Sequence, residues 1–208
     1  MRIKTETRRQ AIVDIAREVF QEVGYDHASM SMIAARVGGS KATLYNYFPS
    51  KEELFAAVMH SSAEHLHCLA EVQIKQIFDQ LAQECDIETQ LLSFGEAYLA
   101  AISSPELLAT RRLAQVASDR TDTGRNFYTR GPQRGTAQMS DYMARQITLG
   151  VLEPEDPWVM AEHLRALLEA EVMEKLLLGV MTSVTPAQIQ ATVQRAIRVF
   201  LRAYRVQS

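Results

Sequence analysis

The chain has 208 residues and a net charge of −3, and 47% of its residues are apolar while 23% are charged. This composition is typical of a globular protein and excludes the disordered and collagen-like classes. No stretch reaches the roughly 18 apolar residues of a membrane-spanning helix, so no membrane partner is expected. The first residues lack the apolar run of a secretory signal, and Cys68 and Cys85 have no zinc-like spacing, so we expect a cytoplasmic protein.

Positive charge is concentrated at the start of the chain. Residues 1–51 contain eight Lys or Arg against five Asp or Glu, whereas residues 52–208 contain 14 against 20. A basic segment attached to an acidic body indicates that only the first part of the chain binds a polyanion.

Apolar residues recur at intervals of three and four along nearly the whole chain, which predicts an all-α fold. Proline, glycine and N-cap residues mark the ends of the helices. The predicted helices cover residues 12–23, 30–37, 41–48, 51–83, 87–103, 105–118, 125–149 with a disturbance at 131–132, 157–178 and 186–205. We divide the chain into an N-terminal helix-turn-helix domain, 1–55, and a larger helical domain, 56–208.

The second and third helices match the helix-turn-helix plan, in which two short helices are joined by a tight turn and the second enters the major groove of DNA. Gly38-Gly39 forms the turn, and Leu44 and Phe48 lie four residues apart, where they can anchor the reading helix. Asparagine pairs with adenine, lysine with guanine, and small methyl groups contact thymine. The candidates for contact with bases are therefore Lys41, Ala42, Thr43 and Asn46. The alternative is that this block only packs a small helical domain.

The block 24–55 resembles the TetR family of bacterial transcriptional regulators. The shared residues are Gly24-Tyr25, Ser29, Ile33-Ala34, Gly38, Ser40, Thr43–Phe48 and Ser50–Phe55. Residues 125–152 and 200–204 also resemble the AefR-type branch. The resemblance implies that Tyr45, Tyr47 and Lys51 contact phosphates and that Ser29 and Ser40 act as donors at helix starts. Lys51 also opposes the dipole of its own helix, which favours an anion nearby.

The resemblance further implies a ligand-responsive regulator, a repressor that binds a palindromic operator in double-stranded DNA as a homodimer and is released by an unidentified small-molecule effector. The alternative is an all-α enzyme or small-molecule carrier that does not bind DNA. No nucleophile–base pair or phosphate loop stands out in the sequence, so neither enzymatic activity nor a cofactor is expected. His60, Glu64 and His67 have helical spacing, but they lie opposite the apolar stripe, so no metal site is expected.

Effector-binding candidates in the second domain are the aromatic and polar residues His65, Phe94, Tyr98, Phe127 and Tyr142. His65 lies at the margin of an apolar face, where it is either a hydrogen-bonded core histidine or a pocket residue. The aromatic candidates follow helical spacing, which ordinary core residues also do.

The last two predicted helices carry long apolar stripes, and in TetR-like proteins the final two helices form a four-helix dimer interface. Glu171 and Lys175 lie four residues apart within the first stripe, which predicts an ion pair at a shared surface. The alternative is that the stripes only cover the core of the chain itself. The predicted interface residues are Leu164, Leu168, Glu171, Lys175, Ile189, Val193, Ile197, Phe200 and Tyr204.

Overall fold

The computed structural model describes residues 5–59, 61, 86–118 and 122–207. The regular secondary structure of these residues is helical, apart from one isolated antiparallel bridge between Leu152 and Arg205, so the all-α prediction is confirmed. Within the described ranges, no helix combines the length and apolarity needed to cross a bilayer. The helices are α1 Glu6–His27, α2 Met30–Val37, α3 Lys41–Tyr47, α4 51–59, α5 Ile87–Ile102, α6 Pro105–Ala117, α7 Thr123–Arg130, α8 Pro132–Thr148, α9 Pro157–Glu169, α10 Met173–Leu177 and α11 Pro186–Tyr204.

The chain divides into two compact units, and the division differs from the predicted domains 1–55 and 56–208. The first unit comprises Met1–His65 and Ala109–Arg130, and the second comprises Leu66–Leu108 and Gly131–Ser208. Ala114 is buried in the core of the first unit, and Leu113 and Phe127 pack against that core. Residues from the middle of the chain therefore complete the N-terminal unit.

The residues that start and stop the short helices act as the sequence predicts. The Ser29 side chain accepts a hydrogen bond from the Met32 N–H at 3.1 Å, and the Ser40 side chain accepts one from the Thr43 N–H at 3.0 Å. Gly38 ends α2 in the left-handed conformation, with φ of 69°, which a residue with a Cβ adopts only at a cost. These local signals fix the lengths of α2 and α3.

In the second unit, α5, α9 and α11 pack closely around a glycine. A Cβ atom on Gly95 would lie 2.6 Å from Val193 Cγ1 and 3.0 Å from Leu168 Cδ2. Both contacts are shorter than van der Waals separation, so the close approach of these helices requires the missing side chain.

The apolar stripes of the last helices belong to the core of the chain itself, so the predicted interface needs correction. The stripe residues that are at most 1% exposed are Leu164, Leu168, Val193, Ile197 and Phe200. Ile189 and Tyr204 are partly buried and pack against the same core. Since the five buried side chains are already covered within one chain, they are not available to a second copy.

The predicted ion pair between Glu171 and Lys175 is also corrected. The predicted helix 157–178 is interrupted, because α9 ends at Glu169 and α10 begins at Met173. Glu171 accepts a hydrogen bond from Arg195 Nε at 2.8 Å, and this bond lowers the pKa of Glu171. Lys175 is exposed and adds to that lowering only by its charge. The Glu171–Arg195 pair is 42% and 48% exposed, so it links α11 to the segment after α9 with little net stabilisation.

We expect Gly95→Ala to lower the free energy of unfolding by up to about 2 kcal/mol, because the added methyl group overpacks the contact with Val193 and Leu168 at a cost of about 1–3 kcal/mol. The steric cost exceeds the gain of about 1 kcal/mol in helix propensity. Gly135→Ala is the matched control, because Gly135 lies in α8 and its Cβ would meet nothing within 4 Å. Urea unfolding followed by circular dichroism measures both, and a Gly95→Ala variant at least as stable as Gly135→Ala would contradict the packing argument.

Candidate nucleic-acid interface

One side of α3 is anchored in the core of the first unit, and the other side is exposed. Leu44 and Phe48 are 2% and 3% exposed, as their spacing predicts. Tyr47 is partly buried and packs against the same cluster, so of the two predicted phosphate-binding tyrosines only Tyr45 is largely exposed, at 41%. The exposed side chains of α3 are Lys41, Ala42, Tyr45 and Asn46.

Polar contacts at the start of α3 hold its first turn in place. The Ser40 and Thr43 hydroxyl oxygens are 2.8 Å apart and share a hydrogen bond, and Thr43 is partly buried. The Lys41 ammonium lies 5.8 Å from the centre of the Tyr45 ring, within the range of a cation–π contact. The exposed side chains therefore extend from a helix whose start is capped and whose far side is packed.

The starts of α2 and α3 each present backbone N–H groups, and a helix N-terminus attracts anions. Ser29 and Ser40 are both exposed, and each caps one of these starts. In the geometry of a helix-turn-helix, such starts are where backbone phosphates lie. The two serines therefore lie at helix starts, and their contact with phosphates stays a prediction.

Two arginines that the sequence analysis did not select contact the C-terminal ends of α2 and α3. Arg8 Nη2 donates to the Val37 carbonyl at 3.2 Å, at the end of α2. The guanidinium carbon of Arg9 lies 5.1 Å from the centre of the Phe48 ring, at the end of α3. Both come from the first turn of α1, and the basic pair in front of the first apolar stripe was the only signal for them.

Lys51 is engaged within the chain. Its Nζ donates to the Tyr25 carbonyl at 2.8 Å and to the Ala28 carbonyl at 3.1 Å, and it lies 4.4 Å from the centre of the Tyr25 ring. The neighbouring Glu52 accepts a hydrogen bond from the Tyr25 hydroxyl at 3.1 Å. The pKa of Glu52 is lowered, first by its own backbone N–H at the helix start and then by this tyrosine. The sequence motif contains Tyr25 and Glu52 but does not show that they meet.

Among the predicted effector-binding residues, Phe94 and Tyr98 lie together on α5. Their rings stack with centres 5.7 Å apart, and the Tyr98 hydroxyl donates to Glu169 at 2.6 Å. Tyr142 on α8 is 3% exposed and donates to Gln90 at 2.6 Å, and burial raises the pKa of Tyr142 above its ordinary value. All three residues belong to the second unit.

A polar network joins α8 and α9 and ends at Glu169, which accepts the hydrogen bond from Tyr98. Glu162 accepts hydrogen bonds from Thr136 at 2.9 Å and from Arg165 Nε at 3.1 Å, and Arg165 also pairs with Glu169 at 3.4 Å. Partial burial raises the pKa of Glu162, but the hydrogen bonds and charge of Arg165 outweigh it, and the net shift is downward. The aromatic pair of α5 therefore borders a cluster in which two carboxylates, Glu162 and Glu169, share the guanidinium of Arg165.

The remaining effector candidates do not join this group. Phe127 packs against the core of the first unit, which corrects its predicted place in the second domain. His65 lies outside the described residues, as do His60, Glu64 and His67. Over the ranges that the structure describes, no three His, Cys, Asp or Glu side chains are grouped closely enough to hold a metal ion.

Two family models match the chain. The model for bacterial regulatory proteins of the tetR family matches residues 12–58, and the model for the C-terminal domain of AefR-like transcriptional repressors matches residues 89–206. Together they cover both the helix-turn-helix and most of the second unit.

Curated relatives match in two ways. The HTH-type transcriptional activator FasR of Mycolicibacterium smegmatis is 42% identical over 65 residues, which is 31% of this chain and 30% of that protein. The chain thus spans less than a third of the length of this relative. The fatty acid metabolism regulator protein of Bacillus subtilis is 26% identical over 182 residues, which is 81% of this chain and 93% of that protein.

Among solved structures, a TetR-family transcriptional regulator from Mesorhizobium loti superposes with a TM-score of 0.85 at 27% identity. The superposition covers 98% of this chain and 100% of that one. The similarity therefore extends through both units.

Proposed function

Since the chain belongs to the TetR family of bacterial regulatory proteins, with an AefR-like C-terminal domain, we propose that it is a ligand-responsive transcriptional regulator that binds operator DNA. The observation that carries the proposal is the exposed polar side of α3. Ser40 caps the start of this helix, and the buried side chains of Leu44 and Phe48 anchor its other side in the core. In this arrangement α3 enters the major groove and α2 crosses the DNA backbone.

The exposed groups of α3 divide into two kinds of contact. Tyr45, with partly buried Tyr47 beside it, donates a hydroxyl to phosphates, as do the helix starts capped by Ser29 and Ser40. Base edges are read by exposed side chains of α3, where Asn46 suits adenine and Lys41 suits guanine. The methyl groups of Ala42 and Thr43 contact thymine.

We place the homodimer interface on the outward side of α9 and α11, because the inward stripes are already buried. Exposed residues spaced along one side of α9 are Val159, Ala166 and Ala170. Val199, which is 49% exposed, and Ala203 lie one turn apart on the outward side of α11. Small and branched apolar side chains of this kind allow two helix pairs to approach closely.

Two contacts show that these outward sides are neighbours. Arg195, one turn before Val199, pairs with Glu171 just after α9. At the other end, the His163 ring of α9 stacks on Tyr204 of α11 with centres 6.0 Å apart. The two stripes therefore flank one helix–helix contact and form a continuous surface for a second copy.

Regulation follows from linkage between the two units. The protein has one state that binds DNA and one that does not. An effector bound to the second unit can change DNA affinity only by the difference between its own affinities for these two states. The two recognition helices of a homodimer can bind both halves of a palindromic operator when they lie roughly 34 Å apart, which is one turn of DNA. We propose that the protein acts in the cytoplasm as a repressor of transcription and that the effector releases it from its operator.

A salt titration of binding to duplex DNA tests the proposed function. We expect measurable affinity for random duplex that falls steeply with salt, and tighter binding to palindromic DNA taken from beside the gene. An all-α enzyme or carrier with a sequence pI of 6.0 would show neither property. Absence of both in the folded protein would contradict DNA binding.

Asn46→Ala and Tyr45→Phe should weaken binding in different ways. Asn46→Ala removes a base contact, so we expect relaxed preference at one base pair per half-site at a cost of about 1–3 kcal/mol, with random-DNA binding retained. Tyr45→Phe removes a phosphate donor, so we expect similar weakening on every duplex. Binding to a library of operators in which each position is varied distinguishes the two effects. Uniform weakening by Asn46→Ala, or a changed base preference in Tyr45→Phe, would contradict the assignment.

Val199→Glu should give a folded monomer that loses operator binding. A charge on the outward side of α11 opposes dimer formation, and two weak half-sites gain affinity mainly by being linked. Leu149→Glu is the matched control, because Leu149 is 70% exposed at the end of α8. Sedimentation and circular dichroism measure the outcome, and a dimeric Val199→Glu would place the interface elsewhere.

A further inference from the structure

Arg8 lies against the turn of the helix-turn-helix. Its Nη2 atom donates to the carbonyl of Val37, the last residue of α2, at 3.2 Å. A Cβ atom on Gly39 would lie 3.6 Å from the same nitrogen. The guanidinium therefore lies beside the residues that join α2 to α3, although Arg8 itself belongs to the first turn of α1. The turn is made by two glycines, which have no side chains to cover this guanidinium.

The charge of Arg8 has no carboxylate partner in the part of the chain that the structure describes. A guanidinium carries five N–H donors and stays charged in proteins. The neutral Val37 carbonyl uses one of these donors and cancels none of the charge. Since Arg8 is only partly buried, its remaining N–H groups are available to an anion from outside the chain.

Other arginines of the first unit differ from Arg8 in this respect. Arg17 pairs with Asp14 at 3.2 Å, and Arg36 pairs with Glu22 at 2.8 Å. The end of a helix attracts a cation through its dipole, which explains why the Arg8 side chain rests on the last residue of α2 in the free protein. That attraction leaves a positive charge beside the turn without an acidic partner.

The turn is the part of this motif that precedes the helix in the groove. In a helix-turn-helix, the second helix enters the major groove with its first residues on base edges, and the first helix crosses the DNA backbone. The residues just before the second helix therefore lie near the phosphates that border the groove. A partly exposed cation beside Gly39, one residue before the N-cap of α3, is placed at that border when DNA is bound.

We propose that Arg8 binds a phosphate of the DNA backbone with the N–H groups that the Val37 carbonyl leaves free. The proposal rests on the proposed DNA-binding function and adds a contact from α1, outside the helix-turn-helix. A guanidinium presents its donors in a planar fork that matches the oxygens of a phosphate, so it can hold the carbonyl and the phosphate at once. Arg8 then joins α1, the turn and the DNA backbone, whatever the base sequence.

Arg8→Met tests the contact, because it keeps the aliphatic stem and removes the guanidinium. We expect the affinities for operator and for random duplex to fall by the same factor, about tenfold, because a phosphate contact carries no sequence information. The slope of log K against log salt should fall by about one for each bound subunit. An unchanged slope in the folded variant would overturn the proposal, because the Val37 contact would then be the whole role of Arg8.

Arg17→Met is the matched control for the loss of charge. It makes the same replacement on the same helix, but Arg17 is paired with Asp14 and lies in the middle of α1. We expect the salt slope of this variant to equal that of the wild type. If Arg17→Met lowered the slope as much as Arg8→Met, the effect would come from the net charge of the protein, and the proposal would be overturned.

Neutral phosphates in the operator locate the contact on the DNA. A methylphosphonate removes the charge of one phosphate, and it is placed at each position of a half-site in turn. Wild-type protein should lose affinity at several positions, whereas Arg8→Met should lose no affinity at one of these positions and keep the losses at the others. An identical pattern of losses in the wild type and in Arg8→Met would contradict a direct contact.

Arg8→Lys keeps the test valid if Arg8→Met folds poorly. Its ammonium keeps the charge and can still donate to the Val37 carbonyl, but it lacks the planar fork. We expect the wild-type salt slope together with weaker binding to every duplex, and a slope reduced by about one for each bound subunit would overturn the proposal. Wild-type protein that binds DNA without this contact overturns only this proposal, whereas wild-type protein without salt-dependent DNA binding overturns the proposed function as well.

Discussion

The first unit depends on the fact that its recognition helices are too short to be stable alone. α2 has eight residues and α3 has seven, whereas isolated helices below about 12 residues are marginal in water. Their geometry must therefore come from caps at their starts and from the surfaces on which they pack. Arg8 at the end of α2, Arg9 at the end of α3 and Lys51 before the start of α2 all supply such support from outside these helices.

In the second unit, the close packing of the helices decides which surfaces remain exposed to other molecules. Gly95 lets α5 approach α9 and α11 closely, and the apolar stripes of α9 and α11 are buried within one chain. The interface that we propose between copies uses the outward stripes instead, where apolar side chains alternate with arginines. Surfaces of this kind associate through shape and close approach more than through a large apolar area.

Local signals were readable from the sequence, and contacts between distant residues were not. Ser29, Gly38 and Ser40 act within three residues of themselves, so their caps and turns were predicted correctly. An apolar stripe shows which side of a helix is buried, but not whether its cover is the same chain or a second copy, and this is why Phe200 was assigned to the interface. The partner of Glu171 is 24 residues away, and helical spacing suggested a nearer one.

Part of the charge of the N-terminal segment is engaged within the chain. Arg36 pairs with Glu22 at 2.8 Å, Arg17 pairs with Asp14 at 3.2 Å, and Lys51 serves backbone carbonyls. Exposed ion pairs of this kind are weak, so DNA can compete for the arginines, and two hydrogen bonds to neutral carbonyls leave Lys51 its charge and a third N–H. The cations Arg8, Arg9 and Lys51 thus have contacts within the first unit, at the ends of α2 and α3 and at the connection before α2.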